Sequence, residues 1–263
     1  MADNLFQVSD LRVDVPDMTR KPPFGPAPRL EILKGVSFDI ARGAVLGIVG
    51  GSGSGKTTLG RTLVRLIEPS AGRLLFDGQD IAHLSDAGMR ALRPRIQMIF
   101  QDPMSSLNPR LTVGRTIAAP LGATTGDPRV GAALEQVGLP ADFARRYPHE
   151  LSGGQRQRVG IARAIAMRPD FILADEIVSG LDVSSQAQVL MLLERLVADL
   201  GLTLVFISHD LSVIRRLCSR VIVLRSGEVV EDAATADLFE RPRHAYTREL
   251  LDAIPIPDPS VRW

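Results

Sequence analysis

The chain has 263 residues, 45% of them hydrophobic, which is enough to bury the core of one large domain or of a domain with a subdomain. Its 31 basic and 30 acidic residues leave a formal net charge of +1, which argues against a nucleic-acid partner bound through a general positive field. The single cysteine, Cys218, excludes an internal disulfide, and no apolar run reaches the roughly 18 to 20 residues that cross a bilayer.

The first part of the chain has the pattern of an antiparallel sheet. Residues 5–15 predict a strand, and a proline-rich insert covers residues 16–28. Residues 36–40 alternate between polar and apolar side chains, and residues 73–76 precede an Asp77-Gly78 turn. These segments predict a small antiparallel sheet beside another layer of the fold.

A glycine-rich loop follows the apolar run at residues 44–49, whose length and β-branched content suit a buried parallel strand. After the loop, Leu59, Leu63, Leu66 and Ile67 recur at helical spacing. Strand, glycine loop and helix form the context that a phosphate-binding loop requires. Its glycines let backbone N–H groups turn toward an anion, and the helix dipole points to the same place.

We therefore expect this loop to bind a nucleotide, and a glycine-rich turn with a chance lysine is disfavoured because the whole motif is present. The side chain of Lys56 would supply a point charge for the β- and γ-phosphates, and the Thr57 hydroxyl would contact Mg²⁺. The predicted nucleotide-binding residues of the loop are Gly50, Gly51, Ser52, Gly53, Ser54, Gly55, Lys56, Thr57 and Thr58.

An acidic pair, Asp175 and Glu176, follows a second buried-strand pattern at residues 171–174. The carboxyl ends of parallel strands are where such sheets bind ligands. Asp175 therefore suits a Mg²⁺ contact, and Glu176 suits orienting or deprotonating the attacking water. The pair alone would indicate only a solvated loop, but beside the phosphate-binding loop the functional interpretation is favoured.

A second candidate anion site lies about a hundred residues after the first, in the segment Ser152, Gly153, Gly154 and Gln155. It opens a predicted helix that extends to about Met167. Ser152 can cap this helix, and the glycines leave its first N–H groups open to a ligand. Because the first helix already completes one cradle, two half-sites on one chain suggest a head-to-tail pair of chains.

This combination of motifs resembles the ATP-binding-cassette (ABC) ATPases. The resemblance implies an α/β fold, a P-loop (RecA-like) core with a small antiparallel β-subdomain and a helical subdomain carrying the ABC signature. It implies two cassettes that sandwich two ATP molecules between loop and signature. It also implies that Gln101 senses Mg²⁺ and the γ-phosphate, that residues 179–182 cross the dimer interface, and that His209 contacts the γ-phosphate.

The expected division of the chain follows from these motifs. The ATP-binding core takes residues 1–100 and 169–235, the helical signature subdomain residues 101–168, and a C-terminal extension residues 236–263. The middle region has a helical pattern broken by prolines at 120, 128, 140 and 148. A helix over residues 189–200 is expected to stop at Gly201.

The end of the chain resembles the C-terminal extension of oligopeptide and dipeptide importer ATPases. Residues 241–247 read Arg-Pro-Arg-His-Ala-Tyr-Thr, where that subfamily usually has His-Pro-Tyr. Residues 101–109 and 147–149 resemble the same subfamily. One cysteine cannot supply the four thiolates of the iron–sulfur cluster that some of these ATPases carry, so the resemblance is to the partner type without it. That raises the expectation of a heterodimer, and a homodimer stays open.

The sequence departs from the family pattern at a few positions. Val15 stands where an aromatic residue usually stacks on adenine, and Phe24 of the insert is a weaker candidate for that role. Ile177 follows the glutamate where proline is usual, and Gly51 stands where glutamate is common. Because no charged group used in the chemistry is lost, we expect a competent hydrolytic site.

The leading hypothesis is the ATP-hydrolysing subunit of an ABC importer for peptides or a related small solute, with ATP and Mg²⁺ as cofactors. Its expected partners are a second ABC ATPase subunit, identical or related, membrane permease subunits touched by Arg110 and Leu111, and indirectly a solute-binding protein. No nucleic acid is expected. With no secretion signal, we expect it at the cytoplasmic face of the plasma (inner) membrane, as a peripheral subunit.

Two other functions remain open from the sequence. The alternative is a soluble ABC ATPase of a cytoplasmic enzyme complex, such as the phosphonate-cleaving machinery, and neighbouring permease or lyase genes would separate the two. Cassettes of DNA repair or translation are disfavoured by the length and charge of the chain. The cargo is not encoded in any motif.

Overall fold

Two β-sheets form the framework of the fold in a computed structural model, which describes residues 3–22, 24–102 and 106–253. The smaller sheet is antiparallel, with strand order β2-β1-β4-β5. Its strands are β1 (Asn4–Pro16), β2 (Arg29–Ala41), β4 (Ala71–Phe76) and β5 (Gln79–Asp80). The predicted antiparallel sheet is therefore present, and β2 begins earlier than its alternating pattern indicated because it pairs along nearly the whole of β1.

The larger sheet has six strands in the order β10-β9-β3-β8-β7-β6. They are β3 (Val45–Val49), β6 (Ile96–Ile99), β7 (Phe171–Asp175), β8 (Thr203–Ile207), β9 (Arg220–Arg225) and β10 (Glu228–Ala234). All neighbouring pairs are parallel except β9 with β10. The apolar runs of β7 and β8 are buried throughout, as expected for parallel strands covered on both faces.

Helices cover this sheet and fill the segment between β6 and β7. They are α1 (Lys56–Leu63), α2 (Asp86–Leu92), α3 (Val113–Ala118), α4 (Pro128–Gln136), α5 (Gly153–Ile165), α6 (Val183–Leu200), α7 (Leu211–Leu217), α8 (Thr235–Glu240) and α9 (Ala245–Asp252). Short 3₁₀ helices span Met18–Arg20, Ala141–Arg145 and Pro148–Glu150. In the described ranges, no helix combines the length and apolar character needed to span a bilayer.

Proline and glycine mark the helix ends, for reasons that the sequence already indicated. Pro128 begins α4 and Pro148 begins a 3₁₀ helix, positions at which the missing N–H costs no hydrogen bond. Gly201 ends α6 in the left-handed conformation, with φ of 62°. The division into core, helical subdomain and C-terminal extension stays a prediction.

A cluster of phenylalanines joins the two sheets. The ring of Phe6 in β1 lies 5.0 Å from that of Phe76 in β4 and 4.6 Å from that of Phe171 in β7, measured between centroids. All of these rings are fully buried. The antiparallel sheet is thereby held against the strands that carry the candidate site.

The C-terminal helix is held by a buried carboxylate of β10. Glu231 accepts hydrogen bonds from the backbone N–H groups of Arg243 and His244, both at 2.9 Å, and from the Thr247 hydroxyl at 2.5 Å. Burial alone would raise the pKa of Glu231, but these hydrogen bonds outweigh it and the pKa is lowered. The Glu231 carboxylate therefore fixes residues that follow it by 12 to 16 positions, at the start of the C-terminal helix.

We predict that Phe6→Ala lowers the free energy of unfolding by about 3–5 kcal/mol, because it leaves a cavity between the sheets. Phe24→Ala is the matched control, since that side chain is 95% exposed, and its effect should stay within about 0.5 kcal/mol. Urea denaturation followed by circular dichroism measures both. Equal effects of the two substitutions would contradict the assigned role of Phe6.

We predict that Glu231→Gln destabilises the protein by about 1–3 kcal/mol at neutral pH, because a neutral acceptor replaces a charged one. A lowered pKa contributes stability above the unfolded-state pKa, and that stability is lost as the pH falls through the folded-state pKa. The melting temperatures of wild type and variant should therefore converge in acid. Glu228→Gln, at an exposed position of the same strand, is the matched control, and at neutral pH its stability should stay within about 0.5 kcal/mol of wild type.

Candidate functional site

The candidate site lies at the carboxyl ends of four adjacent parallel strands, β3, β8, β7 and β6. The glycine-rich loop follows β3, and His209 follows β8. Asp175 is the last residue of β7 and Glu176 is the next residue in the chain, and Gln101 follows β6. Segments from four distant parts of the sequence therefore meet at one edge of the sheet, where open α/β sheets bind ligands.

The loop after β3 needs glycine at particular backbone positions. Gly50 has φ of 151°, and a Cβ there would lie 2.2 Å from the carbonyl oxygen of Leu224. Gly55 caps α1 in the left-handed conformation, with φ of 102°. Helix α1 is itself pressed onto the sheet, because a Cβ on Gly60 would lie 2.7 Å from the Ile207 side chain. The loop is therefore placed by close packing on both sides.

Lys56 is buried at the start of α1 and points back into the loop. Its Nζ donates hydrogen bonds to the carbonyl oxygens of Gly50 at 2.7 Å and Gly51 at 2.9 Å. Burial lowers the pKa of the ammonium, while the charges of Glu176 and Asp175 raise it. This buried cation lies where the sequence predicts the phosphates of ATP.

Asp175 provides a test of whether the site fits a cation. Burial raises the pKa of this carboxyl, and the neighbouring charge of Glu176 raises it further. Within the described part of the chain, its Oδ1 atom and the Oγ of Ser54 are buried without a hydrogen-bond partner. Orphaned oxygens of this kind fit a hard cation and its phosphate ligands. In the described residues, no group of three or more His, Cys, Asp or Glu side chains is arranged to hold a metal ion.

The other predicted catalytic residues form one cluster. The Glu176 carboxylate accepts a hydrogen bond from Nε2 of Gln101 at 2.9 Å, and Nδ1 of His209 lies 3.7 Å from its other oxygen. Glu176 has φ of 50°, and its N–H donates to the carbonyl oxygen of Ile207 at 3.0 Å. A left-handed conformation at a non-glycine residue costs energy and is found at functional sites.

A small cavity of about 150 Å³ opens beside this cluster. It is lined by Glu176 and His209 and by residues of the predicted interface loop, including Ser179, Gly180 and Leu181. The cavity therefore places that loop next to the candidate catalytic carboxylate.

The signature segment opens α5 as its sequence indicated. The Ser152 hydroxyl accepts a hydrogen bond from Gln155 N–H at 3.3 Å, and the Gln155 side chain accepts one from Ser152 N–H at 3.0 Å. A Cβ on Gly154 would lie 3.2 Å from the hydroxyl of Ser185 in α6. Among the described residues, no hydrogen bond joins this segment to the phosphate-binding loop. The two half-sites of one chain are thus separate.

Two expectations concern the adenine. Val15 pairs with Leu30 of β2 and packs, half-buried, against the core of the antiparallel sheet. Phe24 is 95% exposed on the insert. The adenine-binding role of either side chain stays a prediction. Residues 103–105 of the predicted glutamine-loop segment and residues 254–263 of the predicted C-terminal extension lie outside the described residues.

One contact of the site was missed by sequence reasoning. The phenol oxygen of Tyr246 in α9 accepts a hydrogen bond from the N–H of Gly51 at 2.7 Å. The two residues are 195 positions apart, so no spacing rule links them. The only available signal was that Tyr246 belongs to the segment resembling importer ATPases.

Comparison with known proteins agrees with this geometry. Residues 33–179 match the model of the family described as "ABC transporter", and residues 230–263 match "Oligopeptide/dipeptide transporter, C-terminal region". The chain is 58% identical over 239 residues to the "Putative peptide import ATP-binding protein" of Brucella ovis, covering 89% of this chain and 75% of that one. It is 48% identical to the oligopeptide transport ATP-binding protein AppF of Bacillus subtilis, covering 86% and 71%.

A solved structure is similar over nearly the whole of its length. It is the dimeric, post-hydrolysis state of an ATP-binding cassette bound to ADP and Pi, with a TM-score of 0.76, 31% identity, and coverage of 88% of this chain and 98% of that one. The family model covers more than half of this chain, and the Brucella ovis relative is matched over most of its own length. This protein therefore belongs to the ABC transporter family of ATPases.

Proposed function

We propose that this chain is the ATP-hydrolysing subunit of an ABC importer for peptides or related small solutes. The observation that carries the proposal is the convergence of the phosphate-binding loop, Asp175, Glu176, Gln101 and His209 at one sheet edge. The match of residues 230–263 to the oligopeptide/dipeptide transporter region supports a peptide-type importer. It also favours this function over that of a soluble ATPase of a phosphonate-cleaving complex.

Glu176 is the proposed general base. Gln101 donates to one carboxylate oxygen and His209 lies beside the other, so the carboxylate is oriented from both sides. A carboxylate held in this way can orient a water and accept its proton as the water attacks the γ-phosphate. His209, beside the same carboxylate, is proposed to contact that phosphate.

Lys56 and the loop N–H groups are proposed to hold the triphosphate. In the described structure the ammonium is bonded to carbonyl oxygens of its own loop, and the phosphates would provide stronger, charged acceptors. Thr57, Asp175 and Gln101 would hold Mg²⁺, which supplies charge neutralisation at the phosphate oxygens. The orphaned Oδ1 of Asp175 supports that role.

A second cassette is proposed to complete each site. The N-terminus of α5, capped by Ser152 and left open at Gly153 and Gly154, is an anion-binding end to which the described residues supply no acidic side chain in the first turn. The similar solved cassette is a dimer. We propose that the partner, identical or related, closes the loop of this chain with the same segment.

The permease subunits are proposed to dock on the helical side of the sheet, which would place the protein at the cytoplasmic face of the inner membrane. A groove of about 440 Å³ lies there, lined by residues that include Met98, Phe100, Asn108, Leu111, Pro120 and Arg163. Arg163 of α5 donates to the carbonyl oxygen of Ser106 at 2.8 Å. Movement of the groove and of the signature helix would thereby be linked.

We predict that Glu176→Gln lowers ATP hydrolysis at least about 100-fold, because the general base is removed, while ATP binding is retained. Size-exclusion chromatography in Mg-ATP should show a dimer that persists in the variant. Glu194→Gln is the matched control, since Glu194 in the second half of α6 pairs with Arg216 of α7 at the protein surface. Unchanged turnover in Glu176→Gln would refute the assignment.

Import is tested in the native host. We expect deletion of the gene to reduce uptake of a radiolabelled oligopeptide, and wild type but not Glu176→Gln to restore it. The tagged chain, solubilised in mild detergent, should copurify with permease subunits. Copurification with soluble lyase subunits and unchanged uptake would instead support the phosphonate-cleaving complex.

A further inference from the structure

The outer side of the phosphate-binding loop is covered by the C-terminal part of the chain. The carbonyl oxygen of Ser54 accepts a hydrogen bond from Gly227 N–H at 3.0 Å, in the turn between β9 and β10. Next to it, the Tyr246 oxygen of α9 accepts the N–H of Gly51 at 2.7 Å. The loop is thus held by segments that follow it by more than 170 residues.

Gly51 is held at both ends of its backbone. Its N–H is bound by Tyr246, and its carbonyl oxygen accepts a hydrogen bond from Lys56 Nζ at 2.9 Å. One residue therefore connects the phenol of α9 to the ammonium that is proposed to meet the phosphates. Without the phenol oxygen, the half-buried N–H would lose its partner, and a glycine-rich segment would gain conformational freedom.

Tyr246 is itself fixed in place. The guanidinium of Arg225 lies 4.7 Å from the centre of its ring, and its own N–H donates to Nδ1 of His244 at 3.1 Å. Glu231 anchors the preceding turn through the N–H groups of Arg243 and His244. The hydroxyl is consequently presented by a rigid support.

We propose that Tyr246 is a positioning residue for ATP binding, which holds Gly51 so that the phosphate cradle is formed before the nucleotide arrives. The C-terminal region thereby acts on nucleotide affinity. This inference rests on the ATP-binding role of the loop and is independent of the cargo and of the permease.

Gly51 offers a matched test of the contact. Its backbone lies outside the left-handed region, so alanine meets no conformational strain there. A Cβ at this position would lie 2.9 Å from the Tyr246 oxygen, which is the one atom of a non-neighbouring described residue within 4 Å. Gly51→Ala should therefore push the phenol away, and Tyr246→Phe should remove the obstacle together with the hydrogen bond.

The test is the affinity of the full chain for Mg-ATP in the Glu176→Gln background, in which hydrolysis is expected to be suppressed. Tyr246→Phe should weaken binding about three- to tenfold, the range expected for one neutral hydrogen bond. Gly51→Ala should weaken ATP binding by a similar factor. The double variant should bind ATP with an affinity no lower than that of the single variant that binds less tightly, because both substitutions break the same contact. With Glu176 intact, KM should rise and kcat at saturating ATP should stay within about twofold, because the lost interaction is uniform.

Tyr147→Phe is the control, since it removes the oxygen of the chain's other tyrosine, which stacks on His149. It should bind ATP as wild type does. The proposal would be overturned if Tyr246→Phe left the ATP affinity unchanged. It would also be overturned if the fold-loss of affinity in the double variant equalled the product of the two single fold-losses. A fall in kcat with unchanged affinity would overturn it as well. Failure of ATP binding in the parent protein would instead count against the proposed function.

Discussion

The buried ammonium of Lys56 is the interaction on which the rest of the site depends. Burial disfavours the charged form of this side chain. Two loop carbonyls that accept its hydrogen bonds and two nearby carboxylates favour the charged form. Asp175 is in the complementary position, a buried carboxyl with one oxygen unpaired. A buried cation and a buried carboxyl at one edge of the sheet suit the proposed Mg-ATP ligand, which carries both signs of charge.

The parallel sheet explains how these groups are collected. Each parallel strand of a doubly covered sheet ends at the same edge, so the loops after β3, β8, β7 and β6 meet regardless of their separation in sequence. Glu176 is oriented by residues from the two neighbouring strand ends, Gln101 and His209. The left-handed backbone at Glu176 is the local cost of aiming that carboxylate.

The C-terminal region extends this organisation beyond the sheet. Glu231 joins β10 to the turn before α9, and Tyr246 joins α9 to Gly51. A segment that sequence reasoning treats as a mark of subfamily is therefore in contact with the phosphate-binding loop. Because Gly51 lacks a Cβ, the phenol can approach its backbone, and the two positions are physically coupled.

The sequence by itself determined the local chemistry: the glycine loop, the Ser152 cap, the Asp175-Glu176 pair and the helix stop at Gly201 all follow from residue type and spacing. It also indicated both sheets, because a period of two and continuous apolar runs are distinct patterns. Tertiary structure alone decided which strand ends are adjacent, that Gln101 and His209 flank Glu176, and that Tyr246 reaches Gly51. Those contacts depend on strand order and close packing, which join residues up to 195 positions apart and leave no periodic trace in the chain.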